Sequence, residues 1–245
     1  LAVFIPISGW VADRYGARST FMAAIAVFLL GSLACAASQT LAQLVAARFL
    51  QGIGGALMVP VGRLVLLRTV PKSELVRALS WLTIPALVAP IIGPPLGGLL
   101  VTVGDWRWIF LINIPIGLLG IALAHRFIPD IREPATPLDA RGFALSGLGL
   151  ALALFGFSTL GRHLVATSLA ASCLVLGLVA LAAYVWHAGR HANPLIDLRL
   201  LRHPTFRAGV LGGGLFRIGI GATPFLLPLM LQLGFGLSAL QSGLI

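Results

Sequence analysis

Three groups of residues have the types and spacing to do chemistry. The first is positive charge set inside apolar runs. Arg48 stands in Arg48-Phe-Leu-Gln51-Gly52-Ile-Gly54-Gly55-Ala56, and Arg217 stands among Gly212, Gly213, Gly214, Gly219 and Gly221. A guanidinium at the centre of a membrane helix costs about 2.5–3.5 kcal/mol on insertion scales, so one that is kept there is a candidate for a substrate or proton path. Gln51 and the lone amide Asn113 are the polar neighbours such a path would use. The second group is the stretch Gly9-Trp-Val-Ala-Asp13-Arg14-Tyr-Gly16-Ala-Arg18, read as a turn. Gly16 can take positive φ and make the reversal tight. Asp13 can accept from free N–H groups at a neighbouring helix N-terminus, while Arg14 and Arg18 can hold a lipid phosphate or a partner carboxylate. The third group is Pro85, Pro90, Pro94 and Pro95 with Gly93, Gly97 and Gly98. Each proline removes a backbone donor and crowds the turn before it, so a bent helix is expected. Gly93 and Gly97, four apart, share a face for close approach of another helix.

Other chemistry finds no support. Cys35 and Cys173 are isolated in apolar runs, which gives neither a disulfide framework nor a thiolate cluster. His187 and His191 are four apart with His203 nearby, all assigned to a cytoplasmic connection with no acidic or thiol cluster beside them. No metal site is therefore expected. Neither hydrolase nor nucleotide-binding motifs occur, so no enzyme activity and no cofactor are expected.

The elements that must carry these residues are membrane helices. Of 245 residues, 58% are hydrophobic and only 10% are charged, against about 25% in an ordinary soluble domain. A net charge of +10 would suggest nucleic acid in a soluble protein. Here the charges lie between long apolar runs, so membrane lipids are the expected partner and nucleic acid is not. Spans are predicted at about 19–37, 41–68, 75–103, 107–126, 141–160, 165–187 and 206–232, after a partial helix at 1–12 and before another starting near Ser238. The segments are apolar all round, which favours helices over the alternating strands of a barrel. Connections 13–18, 68–77, 126–141 and 187–207 hold twelve of the basic residues, and the opposite connections hold only Arg107 and Arg162. The first set is thereby placed in the cytoplasm, and the five tryptophans fall near helix ends as an aromatic belt should. On this count Arg48 lies about 10 Å and Arg217 about 15 Å along their helices. The chain starts and stops within apolar runs and is read as a piece of a longer membrane protein.

These motifs resemble those of the major facilitator superfamily. Gly9, Asp13, Arg14, Gly16 and Arg18 resemble its cytoplasmic loop signature, with Ala17 in place of the first basic residue of the final pair. Arg48-x-x-Gln51-Gly-x-Gly54 is similar to its fourth-span motif, whose arginine is associated with proton coupling. Gly93-Pro94-Pro-Leu-Gly97-Gly98 is similar to the fifth-span motif of its exporters, with Ala89 where a glycine is usual. Asp105-Trp106-Arg107-Trp108 through Gly117, the central pair of helices and Pro224 to Gln232 resemble fourteen-span drug:proton antiporters. The resemblance covers spans two to nine and the start of ten.

That resemblance implies an all-α, polytopic transmembrane helical bundle of the major facilitator type, incomplete. Residues 1–127 would form the N-terminal bundle without its first span. Residues 128–205 would hold cytoplasmic connections and two inserted central spans, and 206–245 would begin the C-terminal bundle. It further implies a multi-pass protein of the bacterial cytoplasmic (inner) membrane that exports lipophilic or cationic drug-like small molecules. Export would run by alternating access, with the proton gradient as energy source and no cofactor. Arg48, Gln51, Asn113 and Arg217 would line the path. Gly9, Asp13, Arg14, Gly16 and Arg18 would latch the cytoplasmic side, and Pro90, Gly93, Pro94, Gly97 and Gly98 would bend and pack the sealing helix. None of the seven carboxylates lies well inside a predicted span, so either the proton-carrying acid is expected outside residues 1–245 or coupling uses another group. The same fold with another cargo (sugar, peptide or siderophore) and a non-transporting membrane scaffold or sensor are the competing readings. Periplasmic or outer-membrane partners are left open.

Overall fold

The computed structural model describes residues 1–134, 136–161 and 165–236 and, inside helices, every side chain except those of residues 87, 90, 91, 94, 95, 98, 101–103, 220, 223–225 and 228. Arg162, the side chains of Pro90 and Pro94, position 98 and the helix expected near Ser238 thus lie outside the described residues. Two compact units are present, Leu1–Ile196 and Asp197–Ile245. The first contains α1 (Ser8–Tyr15), α2 (Ala17–Ala37), α3 (Leu41–Thr69), α4 (Leu75–Val103), α5 (Trp108–Leu111), α6 (Asn113–Phe127), α7 (Ala140–Thr159) and α8 (Thr167–Arg190). The second contains a short 3-10 turn, Leu198–Arg202, and α9 (Pro204–Gly234).

The architecture is all-α and multi-pass. Among the described residues α2, α3, α5 continued by α6, α7 and α8 are long and apolar enough to cross a bilayer. Lipid offers no hydrogen bonds, so a spanning segment must satisfy its own backbone, and the helix does this internally. Leu30, Leu33, Phe49, Val175 and Val179 face outward, as lipid-contacting side chains should. The interior is instead built from small residues. α2 and α3 form one hairpin and α7 and α8 another. A Cβ added at Gly31 would lie 2.5 Å from the Gln51 backbone, and one at Gly54 2.5 Å from the Ala24 carbonyl and the Phe28 nitrogen. Gly156 sits in the same way against Ala170 and Leu174. The helices can therefore approach until backbones touch. A core of Ala12, Ala17, Val61 and Val65, flanked by Phe21, Leu57, Leu64 and Ile128, joins α1, α2 and α3.

Element ends follow local chemistry. Thr40 caps α3: its hydroxyl accepts from the Gln43 N–H (3.3 Å), and the Gln43 carbonyl oxygen accepts from the Thr40 N–H (3.3 Å) and the Gln39 N–H (2.8 Å). Asp139 caps α7. Arg107 donates to Asp105 (3.0 Å) and to the Ser38 carbonyl at the end of α2 (3.2 Å), closing the opposite face.

Three expectations need correction. The leading helix does not occupy 1–12: residues 2–7 form turns and α1 begins at Ser8. Pro6 has no N–H and disfavours helix at Ile5. The stretch Gly9–Arg18 is not a turn, because α1 continues through Asp13 and Arg14 to Tyr15. Gly16 alone, at φ 92° and ψ 140°, makes the reversal, and its N–H still closes α1 on the Ala12 carbonyl (2.9 Å). The span expected at 107–126 is present at Trp108–Phe127, but its helix is interrupted at the single residue Ile112, between α5 and α6, where Pro115 cannot donate to the Leu111 carbonyl.

Candidate functional site

α3 sets the first part of the site. Ala47, Gln51 and Gly54 lie on one face at i, i+4 and i+7, and all three are buried against α2. Gln51 is thus a full amide, 3% exposed, held between two small residues. Its Nε2 donates to Ser32 Oγ of α2 at 2.6 Å, and Ser32 is fully buried. Asn113, the first residue of α6, donates through Nδ2 to the same hydroxyl oxygen at 3.3 Å. At the other end Arg48 Nη1 donates to Gln51 Oε1 at 2.6 Å, and its guanidinium lies 5.8 Å from the centre of the Phe110 ring. The result is one hydrogen-bonded chain, Arg48–Gln51–Ser32–Asn113, which ties three membrane helices together.

Three of the four expected path residues therefore converge. Ser32 joins them as a residue the sequence reading did not single out; a hydroxyl beside Gly31 in an otherwise apolar helix was the available signal. Arg48 is an exposed side chain whose one donor is fixed by Gln51, not a fully buried one. The chain holds no carboxylate, thiolate or imidazole, so it suits fixed placement of a positive charge and not covalent chemistry. Arg217 falls in the second unit, near the middle of α9, with its side chain exposed there. Gly93 and Gly97 have nothing within 4 Å of where a Cβ would stand, so among the described residues their shared face is open.

The second part lies where α1, the C-terminal end of α3 and the linker after α6 meet. Asp13 does not accept from a helix N-terminus. It meets Arg68, at the C-terminal end of α3, with Nη2 and Oδ1 2.8 Å apart, and Arg68 Nε lies 3.2 Å from Glu133 Oε1. The reason is geometric: α1 runs on to Tyr15 and so delivers Asp13 beside the last turn of α3. The Arg68 N–H groups are not aimed along the Asp13 contact. Asp13 Oδ1, Arg68 Nη1 and Arg18 Nε are buried without an aligned hydrogen bond. Arg14 is exposed in the last turn of α1, whereas Gly16 is buried with Asp130 and Arg132 against it. Gly9 lies in α1 and lines a polar cavity of about 280 Å³ with Trp10, Asp13, Thr136, Asp139 and Asn193.

A third cluster overturns an expectation. His187 is not in a loop but in the last turn of α8, and an acidic group does stand beside it. Asp139 Oδ1 is 2.8 Å from His187 Nε2 and accepts from the Gly142 N–H at 2.8 Å; Oδ2 accepts from the Leu195 N–H at 3.3 Å. Burial of Asp139 works to raise its pKa, but the Gly142 N–H, His187 and the Leu195 N–H outweigh it and hold the carboxyl below its ordinary value. Sequence separation of 48 residues hid the pair.

With this geometry in place, relatives can be compared. Residues 1–245 match the profile of the Major Facilitator Superfamily across the whole chain. The chain belongs to the Major Facilitator Superfamily. It is 44% identical over 247 residues to proteins named "Putative multidrug resistance protein MdtD" from Salmonella newport (strain SL254) and Serratia proteamaculans (strain 568). The match covers 100% of this chain and 52% and 51% of those relatives. The same name and identity recur in Salmonella typhimurium. The chain thus spans about half the length of the curated relatives it matches. Membership agrees with the all-α multi-pass fold and places the Arg48 chain and the Asp13–Arg68 contact within a superfamily bundle.

Proposed function

We propose that this chain forms the N-terminal bundle and central spans of a proton-coupled secondary transporter that exports lipophilic or cationic drug-like small molecules by alternating access. The observation that carries the reading is the chain Arg48–Gln51–Ser32–Asn113. An ionisable side chain inside a bilayer-spanning segment is by default a candidate for a substrate or ion pathway, while Gln51, Ser32 and Asn113 also tie the helices together. A scaffold that moves nothing gains little from a cation placed about 10 Å into a span. The names of the relatives favour drug-like cargo over sugar, peptide or siderophore.

The roles follow. Arg48, positioned by Gln51, presents a fixed positive charge that tunes proton or substrate binding, and Asn113 holds α6 to that chain. Arg217, in α9, is the remaining residue proposed for the path. Asp13 and Arg68, with Gly9, Arg14, Gly16 and Arg18 around them, latch the cytoplasmic face in one state. The buried groups without aligned partners there leave donors and acceptors free for a second arrangement. Pro90, Gly93, Pro94, Gly97 and Gly98 of α4 supply the bend and the close-packing face that seal the opposite state. The transporter sits in the bacterial inner membrane, contacts lipid headgroups through its basic loops, and draws on the proton gradient without a cofactor. The carboxylate that carries the proton lies outside this chain.

The test is transport by the intact protein in proteoliposomes with an imposed pH gradient. Drug-dependent proton flux is expected, and Arg48→Ala should lower it at least tenfold while membrane abundance stays constant. Absence of flux across a broad panel of cations and neutral lipophiles would refute export; full flux in Arg48→Ala would refute the role of the chain.

A further inference from the structure

Asp139 caps α7 by accepting from the Gly142 N–H, and that cap needs neither histidine. Yet His187 and His191 both converge on it. His191 follows His187 by four residues, so the two imidazoles share a helix face, and their ring centres are 5.0 Å apart at a 34° tilt. One ligating atom from each of Asp139, His187 and His191 lies within 4.8 Å of the other two. The three groups come from two hairpin partners, α7 through its N-cap and α8 through its last turn and the residue after it.

We propose that Asp139, His187 and His191 form a binding site for a divalent transition metal ion, with Zn²⁺ the best match. Two neutral imidazoles and one carboxylate are a borderline-soft donor set, suited to Zn²⁺, Co²⁺ or Ni²⁺ and poorly suited to Mg²⁺ or Ca²⁺. Zinc bonds of about 2.0–2.2 Å in a tetrahedron set ligand atoms about 3.3–3.5 Å apart. The 2.8 Å between His187 Nε2 and Asp139 Oδ1 would open by about 0.5–0.7 Å, and the His191 ring would move inward by up to about 1.5 Å. His191 heads the irregular segment that follows α8, so it is placed to make that adjustment. Asp139 already meets a further requirement of a built site. It is 5% exposed and hydrogen-bonded by the Gly142 and Leu195 N–H groups, which fix its orientation. Of the three ligands, Asp139 lines the polar cavity of about 280 Å³, with Asn193 beside it. The nearby cation is turned away: Arg190 lies 4.1 Å over the Trp186 ring, one residue round the helix from the histidines. Water supplies the fourth ligand. The ion would clip the cytoplasmic ends of α7 and α8 together.

The experiment titrates Zn²⁺ into the purified intact protein in detergent against a chromophoric chelator, with Co²⁺ absorption as the report on coordination. The comparison is with His191→Asn, which keeps an acceptor for the Asn193 N–H. One equivalent of Zn²⁺ is expected to bind with micromolar affinity and to raise the melting temperature. In His191→Asn the affinity should fall tenfold or more, and the visible bands of tetrahedral Co²⁺ should vanish. Lack of saturable binding to the wild type, or equal affinity in the variant, would overturn the proposal.

Discussion

Ser32→Ala is the sharpest probe of the polar chain, because the hydroxyl is a shared acceptor. Its loss leaves two amide donors facing hydrocarbon. Gln51 Nε2 loses a 2.6 Å bond at a fully buried position, and Asn113 Nδ2 loses a 3.3 Å bond at a half-buried one. An unsatisfied buried donor costs about 1–3 kcal/mol in soluble proteins. Interhelical side-chain bonds in membranes average about 0.6 and reach about 1.7 kcal/mol. The short Gln51 bond belongs near the top of that range and the long Asn113 bond near the bottom, so the substitution should destabilise by about 2 kcal/mol. Gln51→Leu behaves differently. It frees Arg48 Nη1, but Arg48 is exposed and can find water, leaving a loss of about 1 kcal/mol. The double variant should then cost less than the sum, by about 1 kcal/mol, since Ser32→Ala no longer orphans Gln51. Unfolding in mixed detergent micelles, followed by tryptophan fluorescence, reads all three. If Ser32→Ala costs under about 0.3 kcal/mol, or if the two substitutions are additive, the chain is not a unit and the reasoning fails.

Glycine packing and charge give further outcomes. Gly54→Val should cost 3 kcal/mol or more, roughly the range for overpacking, and cut the yield of monodisperse protein on size exclusion, because its Cβ would meet the Ala24 carbonyl and Phe28 nitrogen at 2.5 Å. Gly189→Ala in α8, with nothing within 4 Å, should instead stabilise by up to about 1 kcal/mol in the same melts. Asp139→Ala should cost about 1–2 kcal/mol at pH 7 through loss of the cap. Because the folded carboxyl is held below its ordinary value, its contribution is complete above about pH 4 and disappears as pH falls through the lowered folded pKa. Wild type and Asp139→Ala melts measured from pH 7 to pH 2 should therefore converge at the acid end.

Much of this arrangement is written in local sequence. The spans of α2, α3, α4, α7 and α9 lie within a few residues of where uninterrupted apolar length places them, since a bilayer reads only length and polarity. Capping by Asp139 and the role of Gly16 in the reversal are likewise local. The paired contacts were not legible. Ser32 looks like any small residue of a packed span until Gln51 and Asn113 are brought to it by the α2–α3 and α2–α6 crossings. Asp139 and His187 carry no signal at a separation of 48 residues. Helix register within a bundle decides which polar side chains meet, and register depends on the close contacts at Gly31 and Gly54, which hydropathy does not encode.

The one departure inside the loop signature, Ala17, follows from charge balance. Ala17 is fully buried and its N–H donates to the Ile131 carbonyl at 3.0 Å, so the linker of residues 130–133 lies directly over it. That linker brings Asp130 and Glu133, and α1 brings Asp13; Arg68 meets Asp13 and Glu133, and Arg132 meets Asp130. All three carboxylates are thus already engaged, while Arg18 Nε is buried without an aligned acceptor. A further cation at position 17 would be buried with no acid left to pair it, at a cost on the order of several kcal/mol for an uncompensated charge. Alanine is the residue that lets the linker close over the α1–α2 reversal. The shortest ion contact at this face accordingly joins Asp13 to Arg68 of α3 and not to a basic pair after Gly16. A latch at this face would therefore depend on Arg68 more than on the residues that follow Gly16.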